Sequence, residues 1–161
     1  MSTPITASQR YYRRGTTKVL WLPAVANKAT PTRAEINAGT ALEGETGAMA
    51  GWQTTSATVP TPALGSRFTP TVGGEITAAD SSLTLWASKT GVDVRQLLTR
   101  ETEGFVMWMD EGDVPGQTGD VYPVQVTSQA KVRELDTAAQ IMVQFSITSE
   151  PAENVEIPAA A

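Results

Sequence analysis

The chain contains no cysteine and no histidine. Without cysteine it can form neither a disulfide framework nor a thiolate metal site, and it carries no redox mark of its compartment. Without histidine it lacks the commonest general base near neutral pH and the commonest metal ligand, so any catalysis would fall to carboxylates, lysine, tyrosine and hydroxyls. Long apolar runs are also missing: neither Val19–Leu22 nor Phe105–Met109 approaches the roughly 20 residues needed to span a bilayer. Arg13-Arg14 ahead of Lys18–Ala26, with Ala24-Val25-Ala26 behind, imitates a secretory signal. Thr16 and Thr17 delay that apolar run and Pro23 breaks it, so a first buried strand is the better reading. Acid is absent from the first 34 positions, which hold Arg10, Arg13, Arg14, Lys18, Lys28 and Arg33. All 17 acids follow, among six further bases, so the net charge of −5 divides into a cationic arm and an anionic body. Such a body repels nucleic acid and anionic membrane, whereas the arm attracts either.

At 161 residues the chain fits one domain that buries about two-thirds of its unfolded surface. Alternation is its strongest signal. In Val121–Arg133, Tyr122, Val124, Val126, Ala130 and Val132 share one side, and Gln125, Thr127, Gln129, Lys131 and Arg133 the other. Ile141, Val143, Phe145 and Ile147 repeat the pattern opposite Gln140, Gln144, Ser146 and Thr148. Side chains on a strand alternate between faces, so this predicts an antiparallel hairpin with one buried and one wet face. Further strands are predicted at Thr17–Pro23, Trp52–Val59, Ser66–Val72, Glu75–Thr77 and Leu83–Ala87, with a Gly73-Gly74 turn and a doubly apolar strand at Phe105–Met109. Thr32 and Glu35 form a capping-box pair before a short helix, Arg33–Ala38. Val94, Leu97 and Leu98 give Asp93–Leu98 one apolar side as a second helix. Val114-Pro115-Gly116-Gln117 suits a type II turn. The expected division is a basic arm at 1–16, a β domain at 17–148 and an acidic, extended tail at 149–161.

Asp110, Glu111, Asp113 and Asp120 are the densest acids, and oxygen ligands of this kind suit a hard cation. Their spacing fails the EF-hand pattern, and an acidic loop facing the basic arm of a neighbour is the better account. No spacing selects a carboxylate pair for glycoside hydrolysis. Tyr11-Tyr12-Arg13-Arg14 interleaves aromatic and basic residues as nucleic-acid arms do, yet docking of Arg10, Arg13, Arg14 and Lys18 on a second subunit's carboxylates fits the acidic body better. Trp21, Trp52, Trp86 and Trp108 each fall in a predicted strand, which favours core or subunit interface over a carbohydrate platform.

Several phrases resemble the major tail tube proteins of long-tailed, non-contractile bacteriophages, particularly those of actinobacterial hosts. They are Thr61-Pro62-Ala63-Leu64-Gly65-Ser66-Arg67-Phe68, Asp80-Ser81-Ser82-Leu83-Thr84 with Trp86, Gly104-Phe105, Gly112-Asp113-Val114-Pro115-Gly116, Asp120-Val121-Tyr122-Pro123-Val124 and Ile147-Thr148-Ser149-Glu150-Pro151. Residues before Arg14 match least. The resemblance implies a mainly β fold, an antiparallel sandwich or partial barrel with one or two short flanking helices. It also implies hexameric rings that stack into a tube through heterologous contacts. It transfers no catalytic residue, cofactor or metal. The partners it implies are further copies of the chain, tape-measure, tail terminator and baseplate or tip proteins, and genomic duplex DNA in transit without specific binding. No membrane anchor is expected, and the implied location is the virion tail, assembled in host cytoplasm. A basic bore would hold phosphates, so Gln125, Thr127, Gln129, Gln140, Gln144, Ser146 and Thr148 are the candidate lining. Lys131 and Arg133 share that side by parity and are expected beyond the bore or paired with Glu134 or Asp136. The rival readings are another virion ring or head decoration protein, and a nucleic-acid-binding module using the arm.

Overall fold

Two consecutive strands lie at opposite ends of one sheet, and this decides the architecture. The computed structural model describes residues 1–160. Along the chain come β1 (Lys18–Leu22), α1 (Arg33–Asn37), β2 (Thr40–Ala41), β3 (Thr46–Ala50), β4 (Thr54–Pro60) and β5 (Thr71–Ala78). Then follow β6 (Ser81–Trp86), α2 (Val94–Leu97), β7 (Glu103–Met109), β8 (Thr118–Val132), β9 (Gln140–Ile147) and β10 (Ala152–Glu156). The main sheet is antiparallel and ordered β2-β1-β7-β8-β9-β6-β3, with β10 also paired to β8. Only residues 42–45 separate β2 from β3, so the sheet must curl until its two margins nearly meet. Ring packing agrees. Trp21 on β1 and Phe145 on β9 lie three strand spacings apart, about 14 Å if flat, yet their ring centroids are 6.4 Å apart.

The concave side is the larger core. Val19, Trp21, Val106, Trp108, Tyr122, Val124, Val126, Phe145, Val143, Ile141, Leu83 and Leu85 fill it, with Leu42 from the link and Val94 and Leu98 from the α2 region. Asp93 caps α2 by accepting from Arg95 N–H, and the hydrogen bonds its carboxylate accepts from the Arg95 guanidinium, joined by Ser88 N–H, hold its carboxyl well below the usual range. Trp52, expected within a strand, instead sits just before β4 with φ of 63°. Its ring closes the barrel mouth against Trp108, Tyr122 and Phe145, with centroids 5.6, 5.4 and 5.3 Å away. Its Nε1 donates to Ser82 O at 3.1 Å, and its carbonyl accepts from Tyr122 Oη. Gly51 makes this turn possible: its φ is 80°, and a Cβ there would lie 2.2 Å from Asp80 O.

The convex side is half covered. Leu20, Leu22, Met107, Met109 and Val121 are buried beneath Ile36 of α1 and beneath Val155 and Ile157. The chain after residue 149 is therefore part of this second core through β10. Thr32 and Glu35 form the expected capping box, and Glu35 also accepts from Ala26 N–H, which lowers its carboxyl pKa. The Gly73-Gly74 turn is not formed. Both glycines lie inside β5, whose hairpin with β4 turns instead at 61–70, closed by Thr61 N–H to Pro70 O. Phenylalanine 68 and its neighbours in that turn are exposed. Gly116 takes φ of 87° in the expected turn, closed by Gln117 N–H to Val114 O at 3.1 Å.

Candidate assembly surfaces

Cross-strand partners share a face, so the register identifies the uncovered convex half. Gln125 lies opposite Ser146, Ser128 opposite Gln144, Ala130 opposite Met142, and Val132 opposite Gln140. Ser82, Thr84 and Trp86 continue the row on β6, and Ala48 and Ala50 on β3. This half is uncharged, its glutamines and hydroxyls interspersed with Ala130, Met142, Val132, Trp86, Ala48 and Ala50, and Glu103, opposite Gln125, is the one charged strand residue at its border.

A bulge between Val126 and Ser128 breaks the parity on which the sequence reading relied. Thr127 is the extra residue, and its hydroxyl donates to Gln144 O at 3.1 Å. Beyond it Gln129 lies opposite Val143 and Lys131 opposite Ile141, both core residues. Gln129 therefore leaves the neutral face, and its amide donates to Val94 O and Leu98 O at the end of α2. Ala130 and Val132, expected on the buried side, take the neutral one. Lys131 leaves it by the same rotation. Arg133 lies past the strand, and among the described residues neither it nor Lys131 forms an ion pair with Glu134 or Asp136. Thr148 follows β9, exposed, its N–H on Pro123 O.

The charged candidates are partly spent within the chain. Arg13 pairs with Asp110, whose hydrogen bond raises the guanidinium pKa, while Thr17 Oγ1 donates to Asp110 O at 2.8 Å. Arg33 holds Asp113 through Nη1 at 2.8 Å. Glu111 is exposed, and Asp120, half-buried, accepts from Asn154 N–H at 3.0 Å. Burial raises the Asp120 pKa, and the charges of Asp110, Glu153 and Glu111 add to the rise. Burial likewise pushes the Tyr122 hydroxyl up to about 12, helped by Asp120. Arg10, Arg14 and Lys18 are exposed and outside the three ion pairs among the described residues. The four acids do not converge: no group of three or more possible ligands forms a metal cluster among the described residues. A cleft of about 630 Å³ where the hairpin base meets β9 holds one carboxylate, Asp80, among hydroxyls and amides. No described helix is long and apolar enough to cross a membrane.

A curled antiparallel sheet with one covered and one uncharged, uncovered convex half makes this a mainly β protein. The chain belongs to the phage tail tube protein family, whose model matches residues 5–160. It is thus a structural component of a phage tail. No curated protein sequence matches it. Among solved structures it is similar to a chain of the anti-feeding prophage baseplate, determined by cryo-EM with sixfold symmetrisation. The TM-score is 0.50 at 12% identity, over 92% of this chain and 95% of that one. At that identity the likeness concerns the fold.

Proposed function

We propose that copies of this chain join head to tail into hexameric rings, and that the rings stack into the tail tube that conducts the genome. The observation that carries this reading is the neutral half-face of β8, β9, β6 and β3, which no element of the chain covers. Turned toward the axis, Gln125, Gln140, Gln144, Ser146, Ser82 and Thr84 would offer hydrogen bonds to water and no cation to phosphate, so DNA would pass without being held. The exposed β4–β5 hairpin and the arm at 1–16 extend from the barrel and are available for contacts along the tube. Tape-measure, terminator and baseplate or tip proteins would meet its ends.

Electron microscopy of the purified chain tests this. Open tubes of constant bore are expected; discrete rings or monomers alone would favour a terminator-like or decoration role. Tight duplex binding at physiological salt, lost when residues 1–16 are removed, would favour a nucleic-acid module.

A further inference from the structure

Where the two margins of the curled sheet approach each other, between β1 and the unpaired edge of β3, they leave a cleft of about 580 Å³. Two buried polar atoms there have no partner, Glu43 Oε2 and Trp108 Nε1. Buried polar groups are nearly always satisfied, and each orphan costs free energy until something pairs with it. Arg14 and Lys18 line the same cleft without ion pairs, and Met49 and Trp86 leave apolar surface beside it, Trp86 leaning over Gly47. A fitting occupant therefore brings an apolar side chain, acids for Arg14 and Lys18, an acceptor for the indole N–H and a donor for Glu43.

The β8–β9 loop has this composition in four consecutive residues, Arg133-Glu134-Leu135-Asp136. Leu135 is fully exposed, at 103%, between two acids. The tip of the β4–β5 hairpin, with Leu64, Arg67 and Phe68, is another exposed apolar segment, but it would add a cation, without acids beside it, to a cleft that already has two unpaired ones.

We infer that this cleft receives the β8–β9 loop of a second copy, with Leu135 on Trp86 and Met49, Glu134 and Asp136 toward Arg14 and Lys18, and Arg133 toward Glu43. The placement makes it a lateral contact. Gln140 pairs with Trp86, and Ala87 N–H bonds to Ala139 O at 2.9 Å, so loop and cleft lie at the same end of the strands. Three strand spacings, about 14 Å round the barrel, separate β8 from β3, so one chain presents both halves of the contact on different flanks. Repetition of such a heterologous contact at one height closes a ring.

The inference rests on the polymer reading above, and cross-linking separates the two. The chain has no cysteine, so Glu43→Cys and Arg133→Cys, prepared as separate folded variants and mixed under assembly conditions, report one contact with a short bismaleimide. A product of twice the chain's mass is expected, lost when Leu135→Asp is added to the Arg133→Cys partner. Glu43→Arg or Arg133→Glu alone should raise the critical concentration about tenfold, and the two combined in one chain should restore it. Tubes without this product, or a product from Arg67→Cys in its place, overturn the contact and leave the tube reading standing. The product with closed rings only supports the contact and overturns stacking. Absence of both polymer and product overturns both.

Discussion

Trp52 shows how much of this barrel depends on a single side chain held in an uncommon backbone state. Its ring touches three others and its indole and carbonyl are both engaged, so Trp52→Ala should cost about 3 kcal/mol, read by urea denaturation. Asp120 acts in the opposite sense. Its carboxyl pKa is raised in the folded chain, so the stability it contributes is present below its ordinary value of 3.8 and is lost as pH rises through the folded value. Asp120→Asn keeps an acceptor for Asn154 N–H and removes the buried charge. Its melting temperature should exceed that of the unmodified chain at about pH 7 and match it near about pH 3; equal melting at both would show that burial does not perturb this acid.

At the scale of elements, α2 is held on the barrel by the displaced Gln129. Replacing it by leucine would strand the Leu98 carbonyl, Val94 O keeping its bond from Leu98 N–H, at a cost of about 1–2 kcal/mol, with faster amide exchange at 94–98 as the local sign. Removal of the Thr32 hydroxyl should cost about 1 kcal/mol, seen as fraying of α1 alone. What could be read from the sequence follows from the range of each signal. The capping box is local, and Thr32 and Glu35 announced α1 within a residue of its end. Alternation along one strand is local too, and it located β9 and the first half of β8, while short runs of apolar and β-forming residues located β1, β6 and β7. A bulge is a relation between two strands, so nothing within Val121–Arg133 marked Thr127 as the extra residue, and every face assignment after it was inverted. Strand β3, Thr-Gly-Ala-Met-Ala, has few β-formers and carries no strand signal of its own, although its free edge borders the cleft. Gly73-Gly74 carried turn chemistry, but the pairing of Thr58 with Gly73 and Val59 with Val72 prevailed over it. Of the candidate site, residue types and charge segregation were legible; the Arg13–Asp110 and Arg33–Asp113 pairs, distant in sequence, were not.

For the whole molecule, the test of a neutral conduit is to make it cationic. Gln144→Lys with Ser146→Lys places two ammonium groups per subunit on the uncovered face, away from both cores. Tubes of this variant should retain duplex DNA at low salt and release it steeply as salt rises, while unmodified tubes retain none at either. Retention by unmodified tubes, or indifference of the variant, would place that face elsewhere than the bore. A mechanical corollary attaches to residues 42–45, which fasten the first margin of the sheet to the last with Leu42 anchored in the core. Peeling either outer strand drags on its opposite number through the backbone, so the protomer behaves as a hoop rather than a ribbon. A tail made of such hoops would flex by sliding at the joints between them while each keeps its girth.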